Sequence, residues 1–127
     1  MDTDIYTVVS IQARSRILQA YLEAVDFTDG EHEEYSDRVI GFSDELEKVA
    51  NTDIDDFILL CVRLGIDWQN VVSPEQFGHD FWLTRNGHGA GFWDRGLGAL
   101  GDELSEAARS FGTVDVYEGG DNWLYFS

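Results

Sequence analysis

Lysine is almost missing from this chain: Lys48 stands alone among eight basic residues, against 25 acidic ones. The formal net charge of -17 argues against direct contact with nucleic acid or an anionic membrane surface, because both need positive charge. Cysteine is equally scarce. Cys61 is single, which excludes an intramolecular disulfide, and its place within an apolar helical pattern marks it as a small buried hydrophobe. No apolar run approaches the ~20 residues of a membrane span. The opening Met-Asp-Thr-Asp lacks the basic residues of a secretory leader. A reducing, cytoplasmic setting is the expectation.

Several chemical signatures are also missing. There is no HExxH, no pair of CxxC motifs and no complete EF-hand loop. Asp53-Ile54-Asp55-Asp56 resembles half a calcium loop without its glycine and distal glutamate. No Gly-x-Ser-x-Gly elbow occurs, and the glycines of Gly87-His88-Gly89-Ala90-Gly91 do not spell the dinucleotide fingerprint. No metal, cofactor or catalytic set is therefore assigned, and the balance leans away from an enzyme.

What is present suffices for folding. Disorder couples high charge with few aromatics, and here 13% of the residues are aromatic. At 127 residues a single compact domain spanning 1–127 is expected, with an acidic helical half over about 1–76 and a second half over about 77–127. The acidity itself has three readings: solubility or adaptation to salt, attraction of a basic partner, and metal binding.

Apolar residues recur at Ile11, Leu18, Leu22 and Val25, predicting an amphipathic helix over Val8 to Val25. Arg14 and Arg16 at its start and Glu23 near its end oppose the helix dipole, so tertiary packing must hold it. Asp26 to Asp37 reads as an acidic loop. Ser43 caps a short helix through Val49, and Thr52 caps another that carries Ile54, Phe57, Ile58, Cys61 and Leu64 to Gly65. Ser73-Pro74-Glu75-Gln76 starts a single turn that Gly78 stops.

The second half reads differently. Phe81 to Arg85 and Ala90 to Arg95 are expected as strands joined at Asn86-Gly87. Leu97, Leu100, Leu104, Ala108 and Phe111 mark a helix ending at Gly112. Val114 to Tyr117 and Asn122 to Phe126 form a hairpin on Gly119-Gly120. The expected class is α+β, a helical N-terminal half followed by a β-β-α-β-β unit with a small antiparallel sheet.

The 78–98 segment gathers two of three histidines and two of four tryptophans. In the hairpin reading Phe81 faces Phe92 and Leu83 faces Ala90 on a core face. Trp82, Trp93 and Arg95 share the other face, which either packs inside or anchors a partner. His79, Asp80, Arg85, His88 and Arg95 carry the chemistry for an alternative ligand site or for acid–base work.

Gly78-His79-Asp80-Phe81-Trp82-Leu83-Thr84-Arg85, then Gly89-Ala90-Gly91-Phe92-Trp93-Asp94-Arg95, resemble small proteins encoded by bacteriophages and mobile elements. The Phe111-Gly112 step and the Tyr117-to-Tyr125 hairpin are similar to theirs too. The resemblance covers about residues 77–127 and carries no catalytic residue. It implies a host-cell cytoplasmic setting, in which acidic proteins of this size resemble inhibitors that occupy the nucleic-acid site of a host enzyme. Carboxylates can imitate phosphates and draw in a basic groove. The candidates are Glu23, Asp26, Asp29, Glu31, Glu33, Glu34, Asp37, Asp44, Glu45, Glu47, Asp53, Asp55 and Asp56. The first expectation is thus an acidic inhibitor of a basic, nucleic-acid-handling host protein. A small enzyme or ligand-binding protein is the alternative, and a virion or assembly protein the third.

Overall fold

The structure is a computed structural model that describes residues 4–28 and 35–127, with the backbone of residue 29. Its elements are helix α1 (Ile11–Asp29), strand β1 (Gly41–Phe42), helices α2 (Asp44–Arg63), α3 (Pro74–Arg85) and α4 (Ala99–Arg109), and strands β2 (Val116–Glu118) and β3 (Trp123–Phe126). Short 3-10 turns lie at Ile5–Thr7 and Phe92–Asp94. The class is α+β, with helices dominating the N-terminal half.

α1 begins later than the apolar stripe suggested, because the Ser10 hydroxyl accepts from the Ala13 N–H and caps it. Its buried face runs through Arg14, Ile17, Tyr21, Ala24, Val25 and Thr28, whereas Ile11 is exposed. The unfavourable arginines at its start are offset by neighbours. Arg14 Nε donates to Asp55 at 2.7 Å and its Nη2 to Asn51 Oδ1 at 2.9 Å, both on α2. Arg16 forks onto Glu75 of α3.

α2 is one helix where two were expected. Ser43 caps it, accepting from Leu46 N–H, but Thr52 does not restart it. The Thr52 hydroxyl donates to the Lys48 carbonyl and Asn51 Nδ2 to that of Glu47, so both polar side chains fold back onto the preceding turn. Gly65 then ends the helix, with Ile66 N–H on Cys61 O and Gly65 N–H on Val62 O, the paired bonds of a Schellman cap. Cys61 is buried, and burial pushes its thiol up to about 12.

α3 overturns the first hairpin. Ser73 and Pro74 start it as expected, yet it continues past Gly78 through all of Phe81 to Arg85. Gly78 lies against α1: a β-carbon there would stand 2.2 Å from the Ile17 carbonyl oxygen. The glycine permits close helix contact instead of stopping the helix. Asn86-Gly87 is a helix C-cap. Gly87 has φ +71°, and His88 N–H returns to Leu83 O while Gly87 N–H returns to Thr84 O. The left-handed glycine that would suit a hairpin turn serves equally in this cap. Every side chain from Phe81 to Arg85 is buried, because α1, α4 and the 92–94 turn all pack on α3. Residues 90–95 form no strand. Gly91 leads into the 3-10 turn, and Phe92 N–H donates to the Thr84 hydroxyl.

The core is aromatic. Phe57 stacks on Phe81 at 4.1 Å and on Phe77 at 4.8 Å between ring centres, and Phe77 stacks on Trp68 at 3.7 Å. α4 adds Leu104 and Ala108, as expected. The C-terminal hairpin also forms, with Tyr117 opposite Tyr125. The sheet is mixed, however, and not purely antiparallel: β1 joins it parallel to β3, in the order β1-β3-β2.

Candidate functional site

His79 and Asp80 lie side by side on α3, and the 3-10 turn after it returns Arg95 to them. Asp80 has no exposed surface. Its carboxylate accepts Arg95 Nε at 3.1 Å and Nη2 at 2.9 Å, with Gln76 Nε2 at 3.4 Å and His79 Nδ1 at 3.3 Å. The pairing holds the Arg95 guanidinium protonated to higher pH than usual. Asp80 is thereby committed to neutralising its neighbour, as a buried carboxylate must be. His79 remains partly exposed at an open cleft of about 440 Å³, where Glu23, Glu75 and Arg95 are also found. This cleft can bind or orient a polar group. A histidine backed by a carboxylate can also move a proton, and the cleft lining includes Ser73, whose hydroxyl accepts the Gln76 N–H as the cap of α3.

Arg85 and His88 do not join this cluster. Arg85 sits at the other end of α3, buried, and donates to Asp53 at 2.7 Å, the Tyr21 hydroxyl at 3.2 Å and the carbonyls of Phe111 and Gly112. Its guanidinium lies 5.5 Å from the Phe81 ring centre and 5.7 Å from that of Phe111. It fastens α1, α2, α3 and the segment that follows α4 together. Tyr21, enclosed beside it, has its phenol pushed up to about 12 by burial. His88 follows the α3 cap, partly buried. Among the described residues no group of three or more His, Cys, Asp or Glu side chains is placed to hold a metal ion.

The proposed tryptophan face does not exist, since its hairpin does not form. Trp82 is 2% exposed; its indole N–H donates to the Thr28 hydroxyl at 2.9 Å, and its ring meets Tyr21 edge-on and Phe126 in a stack. Trp93 is on the 3-10 turn and 47% exposed, beside Arg95 but apart from Trp82.

The acidic candidates divide. Glu23, Asp26, Asp37, Asp44, Glu45, Glu47 and Asp56 are exposed. Asp53 and Asp55 leave that surface set, because they are partly buried and paired with Arg85 and Arg14. Glu31, Glu33, Glu34 and the side chain of Asp29 lie outside the described residues. Four arginines, Arg14, Arg16, Arg85 and Arg95, have carboxylate partners within the chain. Among the described residues, the exposed carboxylates therefore face few uncommitted cations.

One surface escaped the sequence reading. Strand alternation turns Leu124 and Phe126 inward and Trp123 and Tyr125 outward, where Tyr117 of β2 joins them. Asp121, in the turn before β3, accepts the Trp123 N–H and the Tyr125 hydroxyl. Those bonds hold its carboxyl below the usual range and push the Tyr125 phenol up to about 12. The alternating Trp123-Leu124-Tyr125-Phe126 was the available signal.

No protein family, curated protein or solved structure matches the chain.

Proposed function

We propose that this is an acidic interaction protein that binds a basic, nucleic-acid-handling partner and occludes its nucleic-acid site. The observation carrying this reading is the sorting of charge. Arg14, Arg16, Arg85 and Arg95 are held in pairs within the chain, while carboxylates on α1, before β1 and along α2 remain exposed and outnumber the cations left over. Such a surface produces a negative field that speeds encounter with a basic groove and repels nucleic acid. The resemblance of residues 77–127 to phage and mobile-element proteins adds a host-cell cytoplasm and an inhibitory, anti-defence role to the proposal.

A second reading has its own observation, the His79 imidazole backed by Asp80 at the cleft. It makes the protein a small enzyme or ligand-binding protein. One experiment separates the two. The immobilised chain is offered bacterial lysate, and captured proteins are assayed for nucleic-acid binding with and without the chain. The expected result is a captured nucleic-acid-binding protein that the chain displaces from its nucleic acid. Its affinity for the chain should fall at least ~10-fold between ~50 mM and ~200 mM salt, as polyelectrolyte contacts do. Asp26→Lys, Asp37→Lys and Glu47→Lys in combination should abolish capture, and His79→Ala should leave it intact. Capture indifferent to the charge reversals would overturn the inhibitor reading, and dependence on His79 alone would put the second in its place.

A further inference from the structure

The outward sheet face keeps aromatic rings in contact with solvent. Tyr117 is 48% exposed and Trp123 37% exposed. Tyr117 and Tyr125 stack at 5.6 Å with their planes 24° apart. Beside them the start of α2 encloses an open pocket of about 330 Å³, lined by Ser43, Asp44, Glu45, Asp121, Trp123 and Tyr125. Its lining combines the aromatic rings of Trp123 and Tyr125 with the carboxylates of Asp44, Glu45 and Asp121.

We propose that this pocket receives an arginine side chain of a basic protein partner. The assignment rests on the reading of the protein as a binder of basic partners and names the chemistry of contact. A guanidinium is flat and cationic, stacks on aromatic rings, and offers paired N–H donors to carboxylates. Asp121 spends two acceptor positions on Trp123 N–H and Tyr125 O–H and keeps others open. A lysine ammonium meets the charge but not the planar stacking.

The interior contains the same arrangement already filled. Arg85 lies over Phe81 and Phe111 with Asp53 at 2.7 Å, so aromatic walls and a carboxylate hold a guanidinium within this very fold. The surface pocket repeats those components without an arginine of its own among its lining residues.

Other occupants fit less well. A second copy would bring Asp44, Glu45 and Asp121 against their equivalents in a two-fold contact. Nucleic acid and anionic lipid are repelled by the same groups. An apolar segment would strip water from carboxylates and give them no partner. The positive end of α2 opposes any cation, but it amounts to roughly half a charge against three carboxylates.

The test uses the full chain and two blocked tripeptides, acetyl-Gly-Arg-Gly-amide and its lysine counterpart, titrated by amide and indole NMR. Saturable shifts of the Trp123 indole N–H are expected with the arginine peptide, together with weaker binding of the lysine peptide by ~5-fold or more, in keeping with loss of stacking. Trp123→Ala and Glu45→Gln, both at exposed positions, should each weaken the arginine peptide at least ~5-fold, whereas Asp56→Asn should not. Shifts spread over all acidic residues, equal affinity for the two peptides, or binding unchanged in Trp123→Ala would overturn the pocket. Shifts that depend on chain concentration alone would assign the face to a second copy and overturn it too. A captured basic protein that binds Trp123→Ala as well as the parent removes the pocket and leaves the broader function standing. Arginine binding here with no basic protein captured does the reverse.

Discussion

Tyr125 and Phe126 are consecutive in β3, and the sheet sends them to opposite environments. Phe126 stacks on Trp82 at 5.7 Å, and Trp82 in turn is anchored to Thr28 of α1, so the inner face locks the sheet to the helices. Tyr125 and its outward neighbours Tyr117 and Trp123 support one another and the Asp121 turn, and little else. Similar side chains thus hold the molecule together on one face and stand ready for contact on the other. What each ring packs against, not residue type, makes the difference: both are partly buried, but Phe126 rests on the hydrophobic core and Tyr125 on the exposed Tyr117.

Four substitutions break or sharpen this contrast. The largest effect belongs to the interior arginine. Arg85→Met keeps the apolar stem but leaves Asp53 and the carbonyls of Phe111 and Gly112 without their donor. Because the Asp53 side chain is only 20% exposed, we expect a loss of about 2–4 kcal/mol in urea unfolding. Unchanged stability would mean that the arginine does not fasten the helices. Next comes the comparison across the sheet. Phe126→Ala should cost about 2 kcal/mol, below the range for fully enclosed rings because Phe126 is partly exposed. Trp123→Ala should cost less than ~1 kcal/mol, as surface positions do. Equal losses in calorimetry would erase the distinction between the faces.

The smallest effect concerns pH. Asp121 is held below the ordinary carboxylate range first by the Tyr125 hydroxyl and then by the Trp123 N–H. A depressed carboxyl contributes stability that is present above its unfolded value and lost as pH falls through its folded value. Tyr125→Phe removes the leading cause. Its Asp121 titration, followed by carboxyl NMR, should move up, and its small stability deficit should be present at neutral pH and vanish in acid. A deficit that persists in acid would assign the loss to ring packing instead.

The sequence displayed some of this and concealed the rest for identifiable reasons. Ser43, Ser73-Pro74 and the Gly119-Gly120 hairpin are local signals that the structure uses, and α4 takes Leu100, Leu104 and Ala108 of its stripe but leaves Leu97 before it and Phe111 after it. α3 was misread because a helix enclosed on several sides has no polar face, so its periodicity disappears. Asn86-Gly87 fitted a turn or a cap equally well, and the Gly78 approach to Ile17 that favours the helix is not local. β1 has two residues and exists through its pairing with β3, which no local pattern encodes. At the site, His79, Asp80 and Arg95 were recognisable as chemistry, yet the 3-10 turn decided which of the five met. Asp53 and Asp55 looked like surface charge because Arg85 and Arg14 lie far from them in sequence. The alternation in β3 tells which residues share a face, but not which face is left uncovered.

The position of β3 between β1 and β2 also orders the assembly of the molecule. β1 pairs with the last strand, Gly41 opposite Trp123, so that ladder closes a long loop, and contacts of large sequence separation are slow to form. The helices can gather around Phe57 before the sheet exists. Once formed, the short sheet is a small cooperative unit that opens more cheaply than the helical core, as peripheral units do. A partner that grips the outward aromatics therefore acts on the last part of the fold to assemble and the first to loosen. Its binding free energy appears as slower exchange of the strand amides, while those of α3 keep the pace set by global unfolding.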